Sequence, residues 1–173
     1  PRNTRWVVHA ADGDYALGAF DGKTFAPEHT GKHRFNFGNC FYASQTFNNI
    51  PAADGRRIQI AWGRIGHPAM PFNQMMNFPV ELTLHRTGEG LRLSAWPVRE
   101  IATLWERQHE FKNLTLAPGE NPLAKVSGEL LDLELECVPG KATAVGLNVR
   151  GVAVTYDTGK QELSCRDKTA GLE

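Results

Sequence analysis

The sequence predicts an all-β protein in two sections, and three observations carry that prediction. Strand-length runs of alternating apolar and polar residues recur from Arg5 to Cys165, the period-two pattern of half-buried strands. Turn pairs such as Asp21-Gly22, Pro118-Gly119 and Thr158-Gly159 punctuate those runs. Only Val98–Phe111 has helical character, with Val98, Ile101, Ala102 and Trp105 spaced for one or two turns.

Arg5–Ala10 and Asp14–Phe20 are short apolar-rich runs divided by Ala11-Asp12-Gly13, a tight-turn composition. Asp21-Gly22 is a strong hairpin signal leading into Lys23–Ala26. Phe41–Phe47 alternates large and small side chains, and Arg57–Trp62 repeats the period after the Pro51–Gly55 turn. Pro79–Arg86 and Leu91–Ala95 flank Thr87-Gly88-Glu89-Gly90, a hairpin loop.

Lys112–Pro122 reads as a connector. Beyond it, Leu131, Leu133, Leu135 and Cys137 alternate with Asp132, Glu134 and Glu136. That pattern predicts a strand with one wet face, as in an antiparallel sandwich. Thr143–Arg150, Val152–Asp157 and Gln161–Cys165 continue it. The two sections divide between residues 97 and 120, and no internal repeat is legible.

The 173 residues suffice for one well-buried domain or two small ones. Lys plus Arg and Asp plus Glu both number 19 and are interspersed, so no basic stripe marks a nucleic-acid surface. No run of about 18 apolar residues is present to span a membrane. Pro1-Arg2-Asn3-Thr4-Arg5-Trp6 has neither an initiator Met nor the form of a signal peptide. It is expected to begin inside a longer gene product. Cys40, Cys137 and Cys165 lack metal-site spacing. Cys137 and Cys165 could meet on neighbouring strands, although buried free thiols are the commoner outcome. The six histidines are scattered with no carboxylate motif beside them, and no metal or cofactor is expected.

Five phrases then occur in order. They are Trp6-Val7-Val8 with Gly13–Phe25, Asn36-Phe37-Gly38 with Phe41–Phe47, Gly55–Trp62, Phe78–Leu82, and Leu93–Ile101. Together they resemble the last propeller segments of the β-fructosidases of glycoside hydrolase family 32, across about 100 residues. The final third resembles the family's C-terminal sandwich only in strand pattern and in the run Val154–Cys165.

The resemblance implies the end of a five-bladed β-propeller over residues 1–100, a linker over 101–120 and an incomplete β-sandwich over 121–173. It implies a secreted or periplasmic exo-acting enzyme, hydrolysing terminal fructosyl units of levan, inulin or sucrose with retention. Retention requires two carboxylates about 5 Å apart. The family's nucleophile phrase "NDPNG" and its "RDP" phrase are both absent. Glu136-Cys137 spells the acid/base phrase "EC", but it precedes Val138 in an alternating strand, far downstream of the family's acid. No catalytic residue is expected in this chain.

Three positions carry the expected sugar contacts. The family uses an aromatic at the position of Trp62 to line the terminal-fructose pocket, where a ring face stacks on the sugar. Ordinary blade packing would fit Trp62 as well. Tyr42, on the neighbouring strand, either points its hydroxyl into the same cavity or packs in the core. Asn36 stands where many members carry Asp, and losing that charge removes a determinant of sucrose recognition. Val80 replaces the Arg of the family phrase. Glu81 is expected to be structural, Met75-Met76 to form the wall between propeller and sandwich, and Arg56-Arg57 to be a turn-end pair.

Two other readings stay open: a non-catalytic carbohydrate-binding module, and a fructosyltransferase of the same family. The missing strands also predict uncovered sheet edges, and through them a homo-oligomer.

Overall fold

A computed structural model describes residues 4–171, and those residues form three antiparallel sheets. The first contains β1 (Trp6–His9), β2 (Asp14–Phe20), β3 (Phe25–Pro27) and β4 (His33–Arg34). One edge of β2 pairs with β1, and the other is shared by β3 at its C-terminal end and β4 at its N-terminal end. A hairpin forms at Asp21-Gly22, but its loop spans Asp21–Thr24 and the returning strand begins at Phe25 rather than at Lys23. Asp21 Oδ1 accepts the backbone N–H groups of Thr24 and Lys23 at 2.7 and 2.8 Å. Those bonds hold its carboxyl below the usual range.

The second sheet contains β5 (Phe41–Thr46), β6 (Ile58–Gly63), β7 (Met75–Met76), β8 (Val80–Thr87) and β9 (Gly90–Pro97). β6 is central. Its far edge is divided between β7, opposite Trp62 and Gly63, and β8, opposite Ile58 and Gln59. β8 and β9 make the predicted hairpin, in register from Val80↔Pro97 to Thr87↔Gly90.

The core lies between these two sheets. Tyr15, Leu17 and Leu93 are buried together, with Val7, Phe35, Leu82 and Leu91 packed around them. Near one end of this interface, Gln59 is fully buried and donates from Nε2 to Ser44 Oγ at 3.2 Å. Ser44 Oγ in turn lies 3.4 Å from His9 Nδ1, so a polar chain links β6, β5 and β1.

After β9 the chain makes a 3₁₀ helix, Arg99–Leu104, rather than the longer helical stretch expected over Val98–Phe111. None of its residues is buried, so no apolar face rewards a further turn. It is anchored by charge. Arg56 donates to Glu100 Oε1 and Oε2 and to both carboxylate oxygens of Asp54, at 2.6–2.9 Å. Arg56 is therefore the hub of an ion-pair cluster, a role beyond that of a turn-end pair.

The third sheet is a meander of β10 (Ala144–Val149), β11 (Val152–Asp157), β12 (Glu162–Cys165) and β13 (Lys168–Gly171). Arg150 and Gly151 join β10 to β11 with φ of 52° and 82°, the double positive value of a type I′ hairpin turn. The expected strand over Leu131–Cys137 does not form, and residues 131–138 are exposed. Alternation specifies which face a strand would bury, but a strand also needs a ladder partner, and no described strand pairs there. Glu136 lies within this unpaired segment. The third sheet is a single layer, and none of its residues is fully buried.

Met75 and Met76 also depart from expectation. They form β7 on the end of β6 and remain 38% and 55% exposed instead of being buried between the sections. A Cβ on Gly63, opposite Met75, would lie 2.9 Å from Met75 Cγ and 2.7 Å from Asn77 Oδ1, so a larger residue there would displace these side chains. Cys40, Cys137 and Cys165 are free thiols.

Candidate functional site

Strand register builds the site. Tyr42 on β5 stands directly opposite Trp62 on β6, and Trp62 stands opposite Met76 on β7. Residues opposite one another in a ladder share a face, so three large side chains form one row across the end of the sheet. The Tyr42 and Trp62 rings meet edge to face, with centroids 6.3 Å apart and planes at 67°. Both residues are 38% exposed. The next strand position on the other face is occupied by buried Gly63.

The β5 backbone changes course at this row. Register shifts between Tyr42 and Gln45, where Ala43 has φ of 48°. A bulge of this kind re-aims the adjacent side chains. Beneath it, buried Ser44 accepts a hydrogen bond from the Gln59 side chain. Neither Ser44 nor Gln59 was singled out by the sequence reading. The available signal was a polar Gln59 alternating with Ile58 and Ile60 in an otherwise apolar run.

Arg64 completes the row and was also missed. Two residues beyond Trp62, it places its guanidinium carbon 4.6 Å from the Tyr42 ring centroid. This is a cation–π contact. Its backbone N–H donates to Cys40 O at 2.8 Å, which continues the β5–β6 pairing.

Asn36 lies elsewhere in this geometry. It precedes β5, and its Oδ1 accepts the Gly38 N–H at 3.1 Å in a local turn. Its Cβ is packed against the turn at Gly13. Tyr42 and Trp62 are therefore brought together, whereas Asn36 is committed to the loop that precedes β5. Glu81 sits in mid-sheet, opposite Ile58 and Trp96. The aromatic row contains no carboxylate. Among the described residues no group of three or more His, Cys, Asp or Glu could hold a metal ion. The row offers ring faces, a thioether, a hydroxyl and a guanidinium, groups that can stack and hydrogen-bond.

Residues 7–97, which contain both propeller-type sheets and this row, match the model of the glycosyl hydrolases family 32 N-terminal domain. The chain belongs to glycosyl hydrolase family 32. It is 30% identical over 170 residues to a levanase of Bacillus subtilis, covering 87% of this chain and 25% of that protein. It is also 30% identical over 126 residues to a sucrose-6-phosphate hydrolase of Zymomonas mobilis, covering 70% of this chain and 23% of the relative. The family-32 chain thus spans about a quarter of these relatives' length.

Solved structures carry the same fold. The exo-inulinase of Aspergillus awamori superposes with a TM-score of 0.65 at 17% identity, covering 99% of this chain and 42% of that one. A β-fructofuranosidase of Schwanniomyces occidentalis complexed with fructosyl-erythritol gives 0.62 at 19% identity, covering 92% and 39%. The all-β, propeller-type class expected of this family-32 chain is the class observed. Among the described residues no helix is long and apolar enough to cross a membrane.

Proposed function

We propose that these residues are the closing part of the propeller, and the start of the sandwich, of a secreted β-fructosidase. The enzyme removes terminal fructosyl units from levan, inulin or sucrose by double displacement with retention. The observation that carries this reading is the exposed Tyr42–Trp62 rung within the family-32 match. A terminal fructose presents an apolar edge and a ring of hydroxyls. The Trp62 face suits the first, and the Tyr42 hydroxyl suits the second.

Residues 1–100 then act as propeller, 101–120 as linker and 121–173 as incomplete sandwich. Asn36 braces the loop at the pocket margin, where an uncharged amide would loosen discrimination between sucrose and longer fructans. The two carboxylates that break the glycosidic bond belong to parts of the enzyme outside this chain.

The test is hydrolysis of levan, inulin and sucrose by the full-length protein, with the anomer of the first-released fructose read by NMR. Release of β-fructose from chain ends supports the reading. Absence of fructose release from all three substrates would refute it. Residues 1–173 alone should release none, because neither carboxylate of the retaining pair is expected among them. Turnover by residues 1–173 that Glu136→Gln abolishes would also overturn the assignment.

A further inference from the structure

The fold gives the Tyr42 side chain little core to rest on. Tyr42 borders the β5 bulge, next to Ala43 with its φ of 48°, and it is 38% exposed. Core packing does not confine an exposed ring to one rotamer, and ordering it on binding costs free energy. A wall of this kind binds well when its ring already stands in the bound rotamer.

The neighbouring strand supplies a support. Arg64 N–H donates to Cys40 O at 2.8 Å, which extends the register one pair beyond Phe41↔Gly63 and sets Arg64 diagonal to Tyr42. Diagonal neighbours touch when one side chain is long and the other aromatic. The Arg64 guanidinium carbon lies 4.6 Å from the centre of the Tyr42 ring, while Trp62 meets the same ring edge to face. Arg64 Nη2 also donates to Asn39 O at 3.5 Å, a long bond that ties the guanidinium to the loop entering β5. Among the described residues Arg64 has no carboxylate partner, so its charge is committed to the ring and not to an ion pair.

We infer that Arg64 is a positioning residue of the terminal fructose pocket. Its guanidinium lies on the Tyr42 ring, holds that ring edge to face with Trp62, and so keeps the Tyr42 hydroxyl in place for the sugar. Arg64 acts through Tyr42 and touches no reacting atom. This rests on the reading of Tyr42 and Trp62 as the terminal pocket. Without the cation, Tyr42 divides its time among rotamers, and apparent affinity falls in proportion to the competent fraction.

The test is a double-mutant cycle in the full-length protein, with Arg64→Ala, Tyr42→Ala and the double variant set against the parent. Hydrolysis of levan, inulin or sucrose gives kcat and KM, and fructose as competitive inhibitor reports on the terminal pocket. Arg64→Ala should raise KM and the fructose inhibition constant together by roughly two- to fivefold, the size of an exposed cation–π contact, with kcat unchanged. In the Tyr42→Ala background the same substitution should have no effect. Arg64→Lys keeps a cation over the ring and should fall between the parent and Arg64→Ala. The inference is overturned, and the pocket left standing, by any of three results: an unchanged inhibition constant in Arg64→Ala, an equal effect in the Tyr42→Ala background, or a Lys variant no better than the Ala one. Tyr42→Ala with the parent's inhibition constant, or a parent that hydrolyses none of the three substrates, overturns the pocket reading and the inference with it.

Discussion

The backbone N–H of Leu93, on edge strand β9, donates to the hydroxyl of Tyr15 on β2 at 2.9 Å, and the bond is buried. One phenol thereby satisfies an edge-strand group that lacks a ladder partner, and it joins two sheets across 78 residues of sequence. Tyr15 is 2% exposed, and its ring also lies against those of His33 and Phe35.

Tyr15→Phe keeps this packing and removes only the acceptor. The Leu93 N–H is then buried without a partner, which costs about 1–3 kcal/mol. Urea denaturation should show that loss with an unchanged slope. Stability equal to that of the parent would mean that the Leu93 N–H finds another acceptor.

Trp62→Ala should damage sugar handling more than folding. Truncating a fully buried Trp typically costs about 3–5 kcal/mol, but Trp62 is 38% exposed. A small fall in melting temperature with a large rise in the fructose inhibition constant is expected in the full-length protein. Collapse of the fold with unchanged activity per folded molecule would make Trp62 a packing residue.

The Arg56 cluster should mark the acid limb of stability. Hydrogen bonds from Arg56 hold Asp54 and Glu100 at about 2, below their ordinary values of 3.8 and 4.5. Depressed carboxylate values stabilise the fold above the unfolded pKa, and the contribution is lost as pH falls through the folded one. The melting-temperature difference between the parent and Glu100→Gln should therefore be constant above about pH 5 and vanish towards about pH 2. These groups are at the surface, so added salt should shrink the difference. A difference that grows as pH falls would contradict the assignment.

Residues 1–173 alone should self-associate. Tyr15, Leu17, Ala61, Leu93 and Val98 are the hydrophobic residues buried among those described, whereas Leu104, Leu114, Leu116, Leu130 and Val138 are largely exposed. Uncovered apolar surface and free sheet edges both favour pairing with another chain. Light scattering should report species larger than a monomer. A monomer that unfolds cooperatively would show that the small core suffices.

Local signals in the chain determined the hairpins, the all-β class and the family. The turn at Asp21-Gly22, the Thr87–Gly90 loop and the Arg150-Gly151 turn need only neighbouring residues to form, so their chemistry is written in order along the sequence. The family phrases are likewise contiguous. Tertiary structure alone decided the fate of Leu131–Cys137, whose alternation matches a strand yet finds no partner. It also decided the row of Tyr42, Trp62 and Met76, the stacking of Arg64 on Tyr42, and the burial of Gln59 against Ser44. Each of these depends on which residue lies across a ladder or a sheet interface. Periodicity within one strand specifies a face, whereas register and partner depend on distant residues, and it is those distant residues that assemble the site.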